Sequence, residues 1–290
     1  MKQVFMIMFH NNFDEVKRLI KFLDTENSYF ILGIDKNQNS EKTKNEIMST
    51  IRKGLGIYIP LTINWGAYSS IDATLNMLHC AQSFEYEYVH FITGADVPLM
   101  ERSYMDEFLK ENRGREFIEY APHNYSFAYY KCDYYHMFTE NKIYRNSLFL
   151  KILNHAFVRL QKVLGITRGN NNLYHGSAYF TVTRECATYI LENRAFIKRL
   201  CKHSLGADEV WVQTLIANSP FRNMIYDFEC NWGNLRYIDW ENREGNSPHT
   251  FVIKDMERLE KVLNTKYFFG RKFNANKDKE IIDALYNKLY

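Results

Sequence analysis

Val4 to Phe9 is an unbroken apolar run, and so is Tyr29 to Ile34, with a helix-spaced segment between them. A strand with one wet face alternates; a continuous apolar run belongs to a strand covered on both faces, the habit of parallel sheets. Between the runs, Val16, Leu19, Ile20 and Leu23 share one face of a helix from Asp14 to Leu23. Strand, helix and strand in this order predict a βαβ unit with ligand at the carboxyl ends of the strands. His10 and Asp35 stand at those ends, so both are expected in a crevice. No GxGxxG follows the first strand, so the dinucleotide fingerprint is absent.

Further along, Gly56 to Ile59 reads as a short third strand, Ile71 to Ser83 as a helix, and Tyr88 to Ile92 as another buried strand. That strand runs into Thr93-Gly94-Ala95-Asp96-Val97-Pro98-Leu99. Asp96, just past a strand and between Gly and Pro, is either a site carboxylate or a loop cap. Phe117 to Arg145 is crowded with Tyr, Phe and His without a period, and reads as a partly irregular insertion near the sheet edge. Leu148 to Leu164 is expected as a helix, Arg168 to His175 as a loop, Gly176 to Thr183 as a strand and Arg184 to Asn193 as a helix. A strand over Leu235–Trp240, a helix over Asp255–Leu263 and a final helix over Asp278–Tyr290 complete the expectation. No linker or repeat appears, so residues 1–290 read as one domain.

Composition excludes some functions. A formal net charge of +3 in 290 residues offers no electrostatic case for nucleic acid. Cys80, Cys132, Cys186, Cys201 and Cys230 are scattered and form no CxxC, which argues against zinc and for a reducing compartment. The apolar start, Met1 to Phe9, is too short to span a bilayer and lacks a cleavage site after it. A cytoplasmic protein is expected, with peripheral contact at the inner face of a membrane left open.

The stretch Gly206 to Leu215 carries the adjacent carboxylates Asp208 and Glu209 ahead of apolar positions at helical spacing. It reads as a helix with both acids in its first turn, where the dipole favours negative charge. Either Asp208 simply caps an acidic helix start, or Glu209 is a general base in a cleft.

The ordered set Ile34-Asp35-Lys36, Trp65-Gly66-Ala67-Tyr68-Ser69, Gly94-Ala95-Asp96-Val97-Pro98-Leu99, Gly176-Ser177-Ala178-Tyr179-Phe180, Asp208-Glu209 with Gln213-Thr214, Leu235 to Trp240, and Arg271-Lys272-Phe273 resembles the core-2/I-branching glycosyltransferases, glycosyltransferase family 14. That family includes β-1,6-N-acetylglucosaminyltransferases and peptide O-xylosyltransferases. Each motif is weak alone, and the order of seven makes the likeness specific. The resemblance implies an α/β, GT-A-type (Rossmann-like) nucleotide-sugar transferase domain with a mostly parallel central sheet. It also implies inversion, a UDP-sugar donor (N-acetylglucosamine first, xylose next) and no metal or other cofactor.

By the same resemblance Glu209 is the base, and Lys272, helped by Arg271, neutralises the leaving diphosphate in place of a metal. No DxD occurs anywhere in the chain. Arg236 is the favoured second phosphate ligand, with His249 behind it. Asp35 would hold the uridine, Trp65 would stack on it or simply pack, and His10 would line the nucleotide pocket. Asp96 is expected near the donor sugar or diphosphate, and Gly176 and Ser177 where the backbone approaches the sugars. Asp208 would orient the helix start or touch the acceptor; Tyr237 and Trp240 would stack on an acceptor ring or belong to the core. The absence of a stem, an anchor and paired cysteines fits a bacterial-type enzyme acting on a glycan or lipid-linked glycan acceptor in surface polysaccharide synthesis. The competing expectation is a non-catalytic sugar- or nucleotide-binding protein on the same fold. Adjacent carboxylates diverge too much to flank one bond, which disfavours a glycoside hydrolase.

Overall fold

The structure, a computed structural model, describes residues 1–228, 233–245 and 247–290; Cys230 lies outside the described residues. In chain order the strands are β1 (Gln3–Phe9), β2 (Ser28–Asp35), β3 (Leu55–Leu61), β4 (Tyr88–Thr93), β5 (Val97–Pro98), β6 (Phe117–Ile118), β7 (Phe180–Thr183), β8 (Arg236–Ile238) and β9 (Phe269–Arg271). The helices are α1 (Phe13–Leu23), α2 (Glu41–Met48), α3 (Tyr68–Ala81), α4 (Arg102–Glu111), α5 (Tyr125–Cys132), α6 (Leu148–Val163), α7 (Arg184–Glu192), α8 (Arg194–Cys201), α9 (Trp211–Ala217), α10 (Met256–Glu260) and α11 (Glu280–Leu289).

The main sheet runs β3-β2-β1-β4-β7-β6, and a small one runs β5-β9-β8. β1 pairs in parallel with both β2 and β4, and β2 with β3. β7 joins antiparallel to β4, and β6 antiparallel to β7. The α/β fold with a mostly parallel central sheet is therefore as expected. All seven residues of β1 are buried. Val4, Met6 and Met8 enter one hydrophobic layer, with α3, α7, α8 and α9; Phe5, Ile7 and Phe9 enter the other, with α1, α4 and α11. Burying each such side chain contributes about 1.5–3 kcal/mol, which is why the run carries no polar position.

The loops departed further from expectation. Phe117–Ile118 is an edge strand, β6, and Tyr125–Cys132 is a helix, α5, inside the stretch read as irregular. The strand expected from Gly176 begins only at Phe180. Before that, the Gly176 N–H donates to Glu209 O and Gln213 Nε2 donates to Ser177 O, so this backbone bonds to the turn ahead of α9 and to α9 itself.

The acidic decapeptide is not one helix. Gly206 takes a left-handed φ of 68°, Ala207–Glu209 forms a single 3-10 turn, and Val210 (φ −131°) breaks it from α9. Glycine is the residue that takes such a φ without a Cβ penalty. Asp208 therefore caps no α-helix. All seven residues of α9 are buried, so the apolar spacing read as one face is a helix covered all round.

Candidate active site

β1 sits where the strand order reverses, with β2 on one side and β4 on the other. Connections leave such a point in opposite directions and open a crevice between them. A cleft of about 1070 Å³ occupies that place. His10, Asn11 and Asn12 after β1 and Thr93, Gly94 and Ala95 after β4 line it. Trp65 and Gly66, Asp208 and Glu209, Arg271 and Lys272, and part of the segment 139–155 close its walls.

Glu209 stands in the wall with its side chain one-third exposed. Lys131 of α5 donates from Nζ to Glu209 Oε2. His175 Nε2 lies 3.4 Å from the same oxygen and 3.2 Å from Lys131 Nζ. Burial alone would raise Glu209, but the His175 hydrogen bond and the Lys131 charge outweigh it and hold the carboxyl below its usual range. Its neighbour Asp208 is pushed up, first by burial and then by the Glu209 charge. The pair is thus split: Glu209 holds the charge and Asp208 yields it. Behind them Glu119 is buried, and burial with the Glu209 charge pushes it up to about 8.

Backbone bonds lock this corner. The Gly206 N–H donates to Gly66 O, tying the Trp65 turn to the acidic turn, and the Leu205 N–H donates to Lys131 O. Trp65 and His10, both in the lining of the cleft, meet edge to face, 5.9 Å apart.

Arg271, also in the lining of the cleft, is held on three sides. Its Nη1 donates to Asp96 Oδ1 at 3.1 Å and to Thr93 Oγ1, and its guanidinium lies 4.5 Å over the Tyr179 ring. Asp96 also accepts from the Thr93 N–H at 2.5 Å and from the Thr93 hydroxyl at 3.0 Å. Its oxygens are therefore committed to aiming Arg271 and capping its own loop, and the expected contact with a donor sugar gives way to a positioning role. Lys272 follows Arg271 and also lines the cleft; among the described residues it has no ion-pair partner.

Several other expectations are corrected. Arg236 is 1% exposed and outside the lining of the cleft. Its guanidinium donates to the carbonyls of Asn234, Phe91 and Phe180 and to Thr181 Oγ1, so it is a buried structural cation. Its alternative, His249, is paired with Asp255 at 2.8 Å. Asp35 is one strand away from the reversal, where it accepts from the Asn37 N–H and caps the turn after β2. Gly176 is buried, and a Cβ there would stand 1.9 Å from Glu119 O, so the close approach it permits is to protein backbone rather than to a sugar. Ser177 is absent from the lining of the cleft, and its carbonyl accepts from Gln213 Nε2. Tyr237, in β8 of the small sheet, stacks on Phe251 with centroids 5.9 Å apart and packs half-buried against the core. Trp240 is exposed but lies outside the cleft.

Lys131, His175 and Glu119 escaped the sequence reading. So did Lys142, Arg145, Lys151 and His155, which add basic groups to the cleft wall. The one available signal was the placing of Lys142 and Arg145 at the end of the aromatic insertion. Among the described residues no three His, Cys, Asp or Glu side chains group as metal ligands.

Comparison with known proteins agrees with the motif order. The family model described as Core-2/I-Branching enzyme matches residues 4–261. Xylosyltransferase 2 of Canis lupus familiaris is 22% identical over 313 aligned positions, covering 99% of this chain and 33% of its own length. The mouse N-acetyllactosaminide beta-1,6-N-acetylglucosaminyl-transferase is 22% identical, covering 94% of this chain and 68% of its own. This chain thus spans about a third of the xylosyltransferase it matches. Among solved structures, mouse xyloside xylosyltransferase 1 in its apo form superposes with a TM-score of 0.33 at 10% identity, covering 74% of this chain and 80% of that one. With a family model matched over most of its length, the chain belongs to the Core-2/I-branching enzyme family.

Proposed function

We propose that this protein is an inverting glycosyltransferase that moves a sugar from a UDP-sugar to a hydroxyl of a glycan acceptor without a metal ion. The single observation that carries the reading is one cleft lined both by Glu209 and by the Arg271-Lys272 pair. An inverting displacement needs a base on the side of the attacking hydroxyl and positive charge on the side of the leaving diphosphate. In this reading Glu209 Oε takes the acceptor proton as that oxygen attacks the anomeric carbon, and UDP leaves toward Lys272 and Arg271. Arg271, aimed by Asp96, Thr93 and Tyr179, meets phosphate as a fork; Lys272 meets it as a point charge. The His10–Trp65 pair in the cleft gives uracil a ring to stack against. The names of the relatives include both xylosyltransferases and N-acetylglucosaminyl-transferases and support either sugar as the donor.

The test is a panel of UDP-sugars scored by UDP release and by thermal shift, with and without EDTA. Slow hydrolysis of one donor that resists EDTA is the expected result. Activity that disappears with EDTA and returns with manganese would refute metal independence. Failure of every UDP-sugar and of UDP to bind would move a non-catalytic protein to the front.

Lys131 adds a pH prediction. A carboxylate works as a base only when ionised, so activity falls as pH drops through the Glu209 pKa, and Lys131 keeps that pKa low. An opposite charge lowers a carboxyl pKa by about 1–3 units, so Lys131→Met should move the acid limb of the pH–rate profile upward by about that much. An acid limb that stays in place would show that Glu209 is not the group being titrated.

A further inference from the structure

Helix α6 is built inside out. Its core-facing side carries Asn154 and Gln161 along with Val158, all buried. Asn154 Oδ1 accepts from the Met137 N–H at 2.8 Å, and Gln161 accepts from the Tyr135 N–H at 2.9 Å while donating to Tyr135 O at 2.8 Å. The helix is thus fastened to the protein largely by polar side chains. Its apolar residues face outward: Leu148, Phe149, Ile152, Leu160, Val163 and Leu164 are between 55% and 83% exposed. At 100° per residue these six fall on one continuous stripe. A surface helix normally does the reverse, and contiguous exposed apolar surface of this kind marks an interface.

Charge says what the interface meets. On the same wheel Lys151 and Lys162 form a second stripe beside the apolar one, and Arg159 lies just inside the near edge of the apolar stripe, between Leu148 and Ile152. From Asn141 to Gly169 the chain has six Lys or Arg and no Asp or Glu. A two-fold contact with a second copy would set this basic strip against itself or its near neighbours, since such an interface is self-complementary. A surface that presents acyl chains under a layer of negative headgroups matches both stripes at once. No helix among the described residues is long and apolar enough to cross a membrane, so the fit is to lying on the bilayer.

We propose that α6 seats this protein on an anionic lipid bilayer, with Phe149, Ile152, Leu160 and Val163 immersed and Arg159 and Lys162 on headgroup phosphates. Lys151 and His155 of the same helix line the cleft, so a protein seated this way opens its cleft beside the membrane surface. The docking stands on the surface of α6 and does not depend on the catalytic reading.

The experiment is flotation of the intact protein with vesicles of phosphatidylcholine alone and of phosphatidylcholine with one-quarter phosphatidylglycerol, at low and high salt. The protein should float with the anionic vesicles, and less so as salt rises. The triple substitution Phe149→Ser, Ile152→Ser, Val163→Ser should cut the floated fraction about tenfold, the scale of losing most of the apolar anchorage. So should Arg159→Glu with Lys162→Glu. All five positions are exposed and outside the cleft, so thermal unfolding and UDP binding should stay as in the parent; unchanged UDP binding separates lost docking from a damaged site. Absence of flotation, or equal flotation with neutral vesicles, overturns the proposal. So does a dimer by light scattering that the triple substitution converts to monomer without any vesicle association.

Discussion

Replacing Glu209 by Gln is expected to lower turnover about 10²–10⁴-fold, the range for losing a positioned general base, while leaving UDP binding intact. The geometry makes the variant clean. The Gln amide keeps an oxygen that can accept from Lys131, and the turn holding residue 209 is fixed by the bonds of Gly206 to Gly66 and of Gly176 to Glu209 O. The loss should therefore fall on kcat, with the KM for donor little changed, because in the proposed reaction the lost group acts on the acceptor proton. The measurement is steady-state kinetics against donor, with UDP affinity by calorimetry as the control. Turnover within a few-fold of the parent would remove Glu209 as the base and leave its ion pair with Lys131 as a structural feature.

The second large effect belongs to Lys272. Its replacement by Ala should cost about 10²–10³-fold in turnover, the scale for one preorganised group facing charge that develops as a bond breaks. Unlike Glu209→Gln, this change should also raise the donor KM, since the donor diphosphate is already charged before reaction. Arg271 has its own supports in Asp96, Thr93 and Tyr179, so the loss at 272 should not spread to it. Lys272→Arg should recover part of the rate. A near-parental rate in Lys272→Ala would place the diphosphate against Lys142, Arg145 and Lys151, the other Lys and Arg groups of the cleft.

Both residues were singled out by the family resemblance of the motifs that hold them, and both line the cleft. The central strands were legible for a simpler reason: burial on both faces leaves a continuous apolar run in β1, β2 and β4. Boundaries failed where a tertiary contact replaced a local one. The segment before Phe180 looks strand-like, yet its groups bond to the turn before α9 and to Gln213. Arg236 looked like a phosphate ligand because a free cation and a cation buried among carbonyls are written with the same letter. Lys131 was invisible because it meets Glu209 across 78 positions of chain. No local pattern could join them, and only the packing of α5 against the acidic turn does so. The basic rim was hidden in a segment whose polar and apolar residues follow the surface rather than the core.

That rim, with Arg271 and Lys272, gives the cleft five Lys or Arg side chains and two His against two carboxylates. Under the proposed reaction the nucleotide enters with its terminal phosphate esterified and leaves with it free. It therefore gains negative charge at the very step that should release it. Each turnover ends with the ligand that the walls attract most strongly. An enzyme working by the proposed reaction would be throttled by its own by-product, and its rate would depend on how quickly UDP is removed around it.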